Sequence, residues 1–408
     1  MNREIIELNK KTNSDYRSED APLSDIVITG MGCVTPAGKT VREFWESCKK
    51  GASGIKHVQK KNSLCSSYRV PYAGIVADLE STGGNRLVDM GVTAVKEALD
   101  NAHLLTSSDN YRINCILSTS KPNLFFSENT GNSYYESLSS QVVKKIQLMS
   151  TVQNPIGSCV SGISSLLLAK NMLLENVSDI VVCGAFDSSL HPMLVSAYTK
   201  MGVLLSNRKY QLDSFCPYDT RRNGFFPGEG GGVLILEKKN HAIKRGVHIY
   251  VFLEKIALLS EAYHEVTMHP EGKQIVALLE TLLQKNGGYC IPDYISLHGT
   301  ATKTNDSAET TALKKVFKKN AYSLCMSAIK PFTGHMVSGS SIVEIIASIL
   351  ALETGFIPPT LFLKEADPYC DLDYSTKPKT RENICSAVSL SYGFGSLFGG
   401  VLLKKFNN

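Results

Sequence analysis

One thiol stands in a run of small residues: Gly157-Ser158-Cys159-Val160-Ser161-Gly162, with Asn154-Pro155-Ile156 before it. A helix-forming stretch, residues 163–170, follows at once. Small neighbours leave room for a substrate at sulfur, and a helix N-terminus behind a cysteine favours thiolate over thiol. A free thiol, with a pKa of roughly 8.5, needs such help near neutrality. Taken alone, Cys159 would more simply be a packing residue, because cysteine is among the most buried side chains. Two histidine loops change that reading. His298-Gly299-Thr300-Ala301-Thr302 comes directly after the apolar run 294–297, and Lys330-Pro331-Phe332-Thr333-Gly334-His335 is followed by Glu344 in a helical stretch. A fourth cluster, Tyr392-Gly393-Phe394-Gly395, lies near the C-terminus. A cysteine nucleophile served by two imidazoles is the chemistry these types point to. They could also hold zinc, but each candidate ligand comes from its own loop, without the paired short spacing of a structural zinc site.

The elements that must hold these loops alternate. β-branched runs at 25–29, 179–183, 232–237 and 294–297 read as strands, with a further strand at 247–253. Helical patterns cover 87–102, 162–175, 273–285 and 340–354. Such alternation predicts α/β layers with buried strands, and His298 at a strand's end is where sites of α/β folds gather. No repeat is legible at the residue level. A shift at Lys244-Arg245-Gly246 divides the chain into residues 25–246, carrying the cysteine, and 247–408, carrying both histidines. Two glycine clusters suggest phosphate loops and fail the test. Thr35 stands where a dinucleotide fingerprint beginning at Gly30-Met31-Gly32 needs its third glycine, and 228–232 lacks the Gly-Lys-Ser/Thr ending. Both read as turns where backbones pack closely.

Composition excludes several classes. The 408 residues, 43% hydrophobic, suffice for a large core. Eleven scattered cysteines without a Cys-x-x-Cys pair fit a reduced, cytoplasmic protein. Residues 1–24 form a polar extension without the apolar core of a signal peptide. The best apolar run, 342–352, carries Glu344 and Ser348 and is too short to span a bilayer. A net charge of +5 without a dense basic and aromatic stripe gives no nucleic-acid footprint. Lys56, Lys60 and Lys61 read as solvated surface.

These motifs, in this order, resemble the β-ketoacyl-acyl-carrier-protein synthases, the condensing enzymes of fatty acid and polyketide synthesis. The resemblance covers residues 24–405. It includes the opening strand and turn at 25–38, Phe215-Cys216-Pro217-Tyr218-Asp219 with the glycine-rich block 221–232, both histidine loops and Gly393-Phe394-Gly395. It implies a thiolase-like fold, two similar α/β halves layered αβαβα with the site between them. It implies Cys159 as acyl-accepting nucleophile and His298 and His335 as decarboxylation and condensation histidines. Lys330 and Glu344 would be the charged support around His335. Backbone N–H groups of Cys159 and Phe394 would form the oxyanion hole, with Phe394 also gating the two half-reactions. Thr300 and Thr302 would touch the phosphopantetheine arm, and Asp306 and Glu309 would order the loop after His298. No resident cofactor or metal is implied, since the phosphopantetheine belongs to the carrier. The implied partners are an acidic acyl carrier protein and a second subunit, as homodimer or as heterodimer with a chain-length-factor-like chain.

The chain departs from the family pattern at three places. Gly157-Ser158 replaces the usual Thr-Ala before the cysteine; the segment 119–155, which in the family caps the acyl pocket and makes dimer contacts, looks shortened; and Ser396-Leu397-Phe398 replaces Gly-Thr-Asn after the gate. The aromatic at 398 leans the reading toward type II polyketide or polyene synthesis, with housekeeping fatty acid elongation as the alternative. A non-catalytic chain-length-factor-like subunit is the rival of another class. Such subunits usually lack the cysteine that stands here at 159.

Overall fold

Ile26–Val34 is a nine-residue apolar strand buried along its whole length, and it anchors the sheet. The computed structural model describes residues 25–58, 70–79, 85–104, 111–121, 136–285 and 288–406. The N-terminal extension, Lys60 and Lys61, and part of the segment before Cys159 lie outside the described residues, whereas Lys56 is exposed.

Ten strands build the main sheet: β1 (Ile26–Val34), β2 (Ile113–Ser118), β3 (Thr151–Gln153), β4 (Ile180–Ser188), β5 (Glu229–Lys238), β6 (Val251–Ser260), β7 (Tyr294–Ser296), β8 (Met326–Ser327), β9 (Ser386–Gly393) and β10 (Leu397–Lys405). Their spatial order is β8-β7-β9-β10-β6-β1-β5-β4-β2-β3. The first five strands and the last five therefore follow the same path. In each set the first strand lies antiparallel to the fifth and the fifth antiparallel to the fourth. The fourth is parallel to the second and the second parallel to the third. The sets join where β1 pairs with β6, Val27 opposite Phe252 and Ile28 opposite Val251.

The helices are α1 (Val41–Lys50), α2 (Arg86–Asn101), α3 (Leu138–Ile146), α4 (Ser161–Leu174), α5 (Pro192–Lys200), α6 (Lys239–Arg245), α7 (Lys273–Leu283), α8 (Lys303–Phe317), α9 (Lys330–Thr333) and α10 (Ser338–Thr354). Helices α4 and α10 form the central layer. They touch each other and strands of both sets, while α2 covers the outer face of the first set and α7 the outer face of the second. This is the expected αβαβα layering. A central layer is apolar all round, and α10 is buried from Ser338 through Ile349. Close approach of the two helices needs Gly162, where a Cβ would lie 2.4 Å from Ser341 Oγ and 2.6 Å from Ile342 Cγ1.

The glycine clusters differ from the turns expected of them. Gly30 and Gly32 lie inside β1, and Gly230–Gly232 inside β5. Close packing is the reason in both. A Cβ on Gly32 would sit 2.0 Å from Ala94 O on α2, and one on Gly231 2.0 Å from Ala185 O on β4. The strand expected at 247–253 begins at Val251 and runs on to Ser260, because its partners in β10 extend that far.

Candidate active site

Cys159 sits in a single 3₁₀ turn, Ser158–Val160, that leads into α4. Ser158 takes a positive φ of 51°, so the turn is strained for a residue with a side chain. Ser161 Oγ stabilises the turn by accepting from Gly157 N–H at 2.9 Å and donating to Ser158 O at 2.7 Å. The thiol is 3% exposed. Burial pushes it up to about 11, with Lys330 pulling the other way. The expected thiolate is thus not the resting form. Desolvation of the anion outweighs the favourable neighbours.

His335 Nε2 lies 3.4 Å from Cys159 Sγ. At the other side of that ring, Nδ1 faces Val337 N–H at 3.3 Å and Ser340 Oγ at 3.2 Å. Ser340 Oγ itself accepts from Met336 N–H at 3.0 Å. A ring nitrogen that receives a backbone N–H is an acceptor, so this network assigns the proton to Nε2, pointing at sulfur. His298 repeats the arrangement. Its Nδ1 receives Tyr392 N–H at 3.3 Å and lies 3.2 Å from Lys330 Nζ, leaving Nε2–H as donor. The two rings meet edge to face, with centroids 5.8 Å apart. Burial, then Lys330, hold both imidazoles well below their ordinary value, so both are neutral.

Lys330 and Glu344 support a different histidine from the one expected. Lys330 Nζ donates to Glu344 Oε1 and to His298 O, each at 2.5 Å, and faces His298 Nδ1, whereas His335 is held by Ser340 and Val337. The reason is placement. Lys330 opens α9 and its side chain reaches to the end of β7, while His335 lies beyond the chain reversal at Gly334, φ +75°. Burial raises the Glu344 carboxyl to about 7 against the pull of Lys330, and Ser391 Oγ donates to its other oxygen at 3.2 Å.

The loop after His298 is ordered by both acids that the sequence singled out. Glu309 accepts from His298 N–H at 2.9 Å, Gly299 N–H at 3.2 Å and Tyr218 O–H at 2.7 Å. Asp306 accepts from Tyr218 N–H at 2.8 Å and Asn305 Nδ2 at 3.0 Å, beside Arg222. Burial raises the Asp306 carboxyl to about 7.

Cys159, His298 and His335 open into one cavity of about 300 Å³ that Phe225, Phe394, Thr300 and Thr302 also line. The two threonine hydroxyls lie 3.0 Å apart. Phe394 sits at the tip of the β9–β10 hairpin. That hairpin presses on the cysteine turn, since a Cβ on Gly393 would be 3.1 Å from Cys159 N. The Phe394 ring faces Tyr198 of α5, centroids 6.1 Å apart. Among the described residues no group of three His, Cys, Asp or Glu side chains could hold a metal ion.

Sequence reasoning passed over Ser340, Val337 and Ser391, whose polar atoms fix His335 and Glu344. Ser340 was legible as a helix-starting serine soon after His335. Nothing local marks the others.

The chain matches the family model for the Beta-ketoacyl synthase N-terminal domain at residues 23–91 and 85–242. It matches the corresponding C-terminal domain at residues 250–364. It is 27% identical to the 3-oxoacyl-[acyl-carrier-protein] synthase 2 of Synechocystis sp., over 93% of this chain and 98% of that protein. It is 26% identical to the tetracenomycin polyketide synthase ketoacyl synthase alpha subunit of Streptomyces glaucescens, over 93% of this chain and 97% of that protein. Among solved structures it superposes with a TM-score of 0.85 at 27% identity on a type II PKS acyl-carrier protein in complex with its ketosynthase bound to the hexaketide, covering 94% of this chain and 100% of that one. The ishigamide ketosynthase/chain length factor shares the fold, with a TM-score of 0.82 at 23% identity over 94% of this chain and 99% of that one. No described helix is long and apolar enough to cross a membrane. Matches that run through both strand sets in order, over a cavity where the cysteine and histidine loops converge, make this chain a member of the beta-ketoacyl synthase family.

Proposed function

We propose that the protein is a β-ketoacyl-acyl-carrier-protein synthase that joins an acyl group on Cys159 to malonyl carried by an acyl carrier protein, in type II polyketide or polyene synthesis. The observation that carries the reading is Cys159 Sγ 3.4 Å from His335 Nε2, in a cavity that His298 shares. In the first half-reaction Cys159 sulfur attacks the acyl thioester and the carrier thiol leaves with the cysteine's proton. His335 Nε2–H lowers the cost of the thiolate formed when the thiol gives up its proton, before the bond forms. Backbone N–H groups of Cys159 and Phe394 stabilise the tetrahedral oxyanion. In the second half-reaction the malonyl C–C bond breaks, carbon dioxide leaves, and the electron pair becomes an enolate. Its oxygen is met by two neutral N–H donors, His298 and His335, which stabilise negative charge without giving up a proton. The enolate carbon attacks the Cys159 thioester, the sulfur leaves as thiolate and takes a proton from solvent to return to the resting thiol, and the 3-ketoacyl carrier forms.

Lys330 holds His298 in the donor tautomer, Glu309 fixes its loop, and Thr300 and Thr302 line the approach of the phosphopantetheine arm. Phe394, at a hairpin tip over the thiol, is the gate between half-reactions. The reading calls for no resident cofactor. Phe398 favours a specialised pathway over housekeeping elongation: it is buried, lines the cavity and packs on Tyr392, centroids 5.5 Å apart, beside His298. Cys159 argues against a non-catalytic chain-length factor. We place the division between halves at residue 246/247, the reaction in the cytoplasm, and the chain in a dimer, either with itself or with a chain-length-factor-like subunit.

Intact-protein mass spectrometry with a panel of acyl-carrier thioesters tests the function. An acyl adduct absent from Cys159→Ala supports it. No adduct from any donor, with or without a co-expressed partner subunit, rejects it.

A further inference from the structure

Another largely buried ion pair, Lys121–Asp187, lies close to His335 at the start of α10. Asp187, fully buried near the end of β4, receives Lys121 Nζ at 2.9 Å on Oδ1. Its Oδ2 receives Ser338 Oγ at 3.0 Å and Ser338 N–H at 3.5 Å. Ser120 adds its hydroxyl and its N–H, the latter at 3.3 Å. Ser338 is the first residue of α10, and Val337 immediately precedes it.

Val337 has φ 49° and ψ −111°, a conformation that a β-branched residue avoids. Such strain persists only where the surroundings impose it. Here it has a result: the strained peptide aims Val337 N–H at His335 Nδ1, 3.3 Å away. That contact makes Nδ1 an acceptor and leaves the proton on Nε2. Two anchors hold Val337 in place. On one side Ser340 Oγ takes Met336 N–H, and on the other Asp187 grips Ser338. A buried carboxylate keeps its charge only with a counter-ion, and Lys121 is the cation in contact with it.

We propose that Lys121 and Asp187 are a positioning pair, which clamps the first turn of α10 and through Val337 fixes the tautomer and place of the His335 ring. Neither touches the reacting atoms. The proposal rests on the reading of His335 as an Nε2–H donor. The Coulomb influence of Lys121 on both His335 and Cys159 agrees with its nearness to the site.

The test is imidazole ¹⁵N NMR on full-length protein labelled at histidine, with the His335 signals identified by their loss in His335→Gln. Lys121→Met and Ser338→Ala are compared with Lys121→Arg. The parent protein should show a single Nε2–H tautomer for His335. Lys121→Met and Ser338→Ala should show mixed tautomers at His335 with His298 unchanged, and single-turnover condensation from preloaded acyl-enzyme should fall roughly 10- to 100-fold, the scale of a 1 Å misplacement. Lys121→Arg should restore the parent spectrum. Ser338→Ala removes only a hydroxyl, so it reports even if Lys121→Met does not fold. An unchanged His335 spectrum in Ser338→Ala overturns the proposal, whatever the activity. A parent spectrum with the proton on Nδ1 overturns the donor role itself, which separates the two failures.

Discussion

At the scale of single residues, the site stores little charge and many directed N–H groups. Both imidazoles are neutral donors, and each has its other nitrogen turned toward a backbone N–H. Removing one donor of this kind typically costs roughly 10²–10³ in rate. His298→Ala should lose about that much in condensation while still accepting an acyl group on Cys159. His335→Ala should lose as much in condensation but also slow loading, because of the two histidines it is His335 that lies against the sulfur. Rapid-quench assays of the two half-reactions decide this, and equal loss of both in His298→Ala would sink it.

The thiol adds a pH signature. With its pKa raised to about 11 by burial, Cys159 should be alkylated by iodoacetamide at a rate that keeps rising through pH 9 and 10. A plateau below pH 8 would mean that the helix terminus and His335 outweigh desolvation. The histidines point the other way. Their folded values lie well below the ordinary one of roughly 6.5, so the unfolded chain takes up protons that the folded chain refuses. Their contribution to stability is full above about pH 6.5 and is lost as pH falls toward the folded values. Condensation from preloaded acyl-enzyme should therefore keep its rate as pH falls through 6.5, and a half-point near 6.5 would show that the donors titrate freely.

At the scale of elements, the catalytic distance is set by helix packing. Cys159 rides on the start of α4 and His335 on the turn before α10, and these two helices meet at Gly162. Gly162→Ala would place a Cβ against Ser341 and Ile342, both buried and pinned from other sides. Overpacking of this kind costs about 1–3 kcal/mol. The variant should melt at a lower temperature by calorimetry, and acyl loading should slow because the sulfur moves relative to His335 and the Phe394 hairpin. An unchanged melting temperature together with unchanged loading would show that the helices separate freely. The same packing explains the glycines of β1 and β5. They look like loop signals in the chain but serve close packing, against the α2 backbone in β1 and against neighbouring strands in β5.

At the scale of the whole molecule, one strand path is used twice, and each copy contributes to the site. The first brings Cys159, the second both histidines and Phe394. Among the described residues β3 has β2 on one side and no strand on the other, and Met149 and Ile156 beside it are 93% and 60% exposed. An open edge flanked by large apolar side chains invites a second chain. We expect the purified protein to sediment as a dimer, and Met149→Asp with Ile156→Asp to shift it to monomer. A parent protein that sediments as a monomer at micromolar concentration, alone and with a partner subunit, would rule this face out.

By itself the sequence singled out Cys159, both histidines, the two loop-ordering acids and the family, because these are written in short motifs, and it carried the α/β class in the alternation of strand and helix patterns along the chain. Tertiary structure alone decided the relations between motifs. It assigned Lys330 and Glu344 to His298, since reach across a chain reversal is invisible in one dimension. It raised the Cys159 thiol, since burial depends on everything packed around it. It supplied the shared strand order of the two halves, which the family resemblance implied only as two similar halves, since strand pairing is not written in either half alone. It brought Lys121 and Asp187 behind His335, because a side chain that acts through a neighbour's backbone carries no motif of its own.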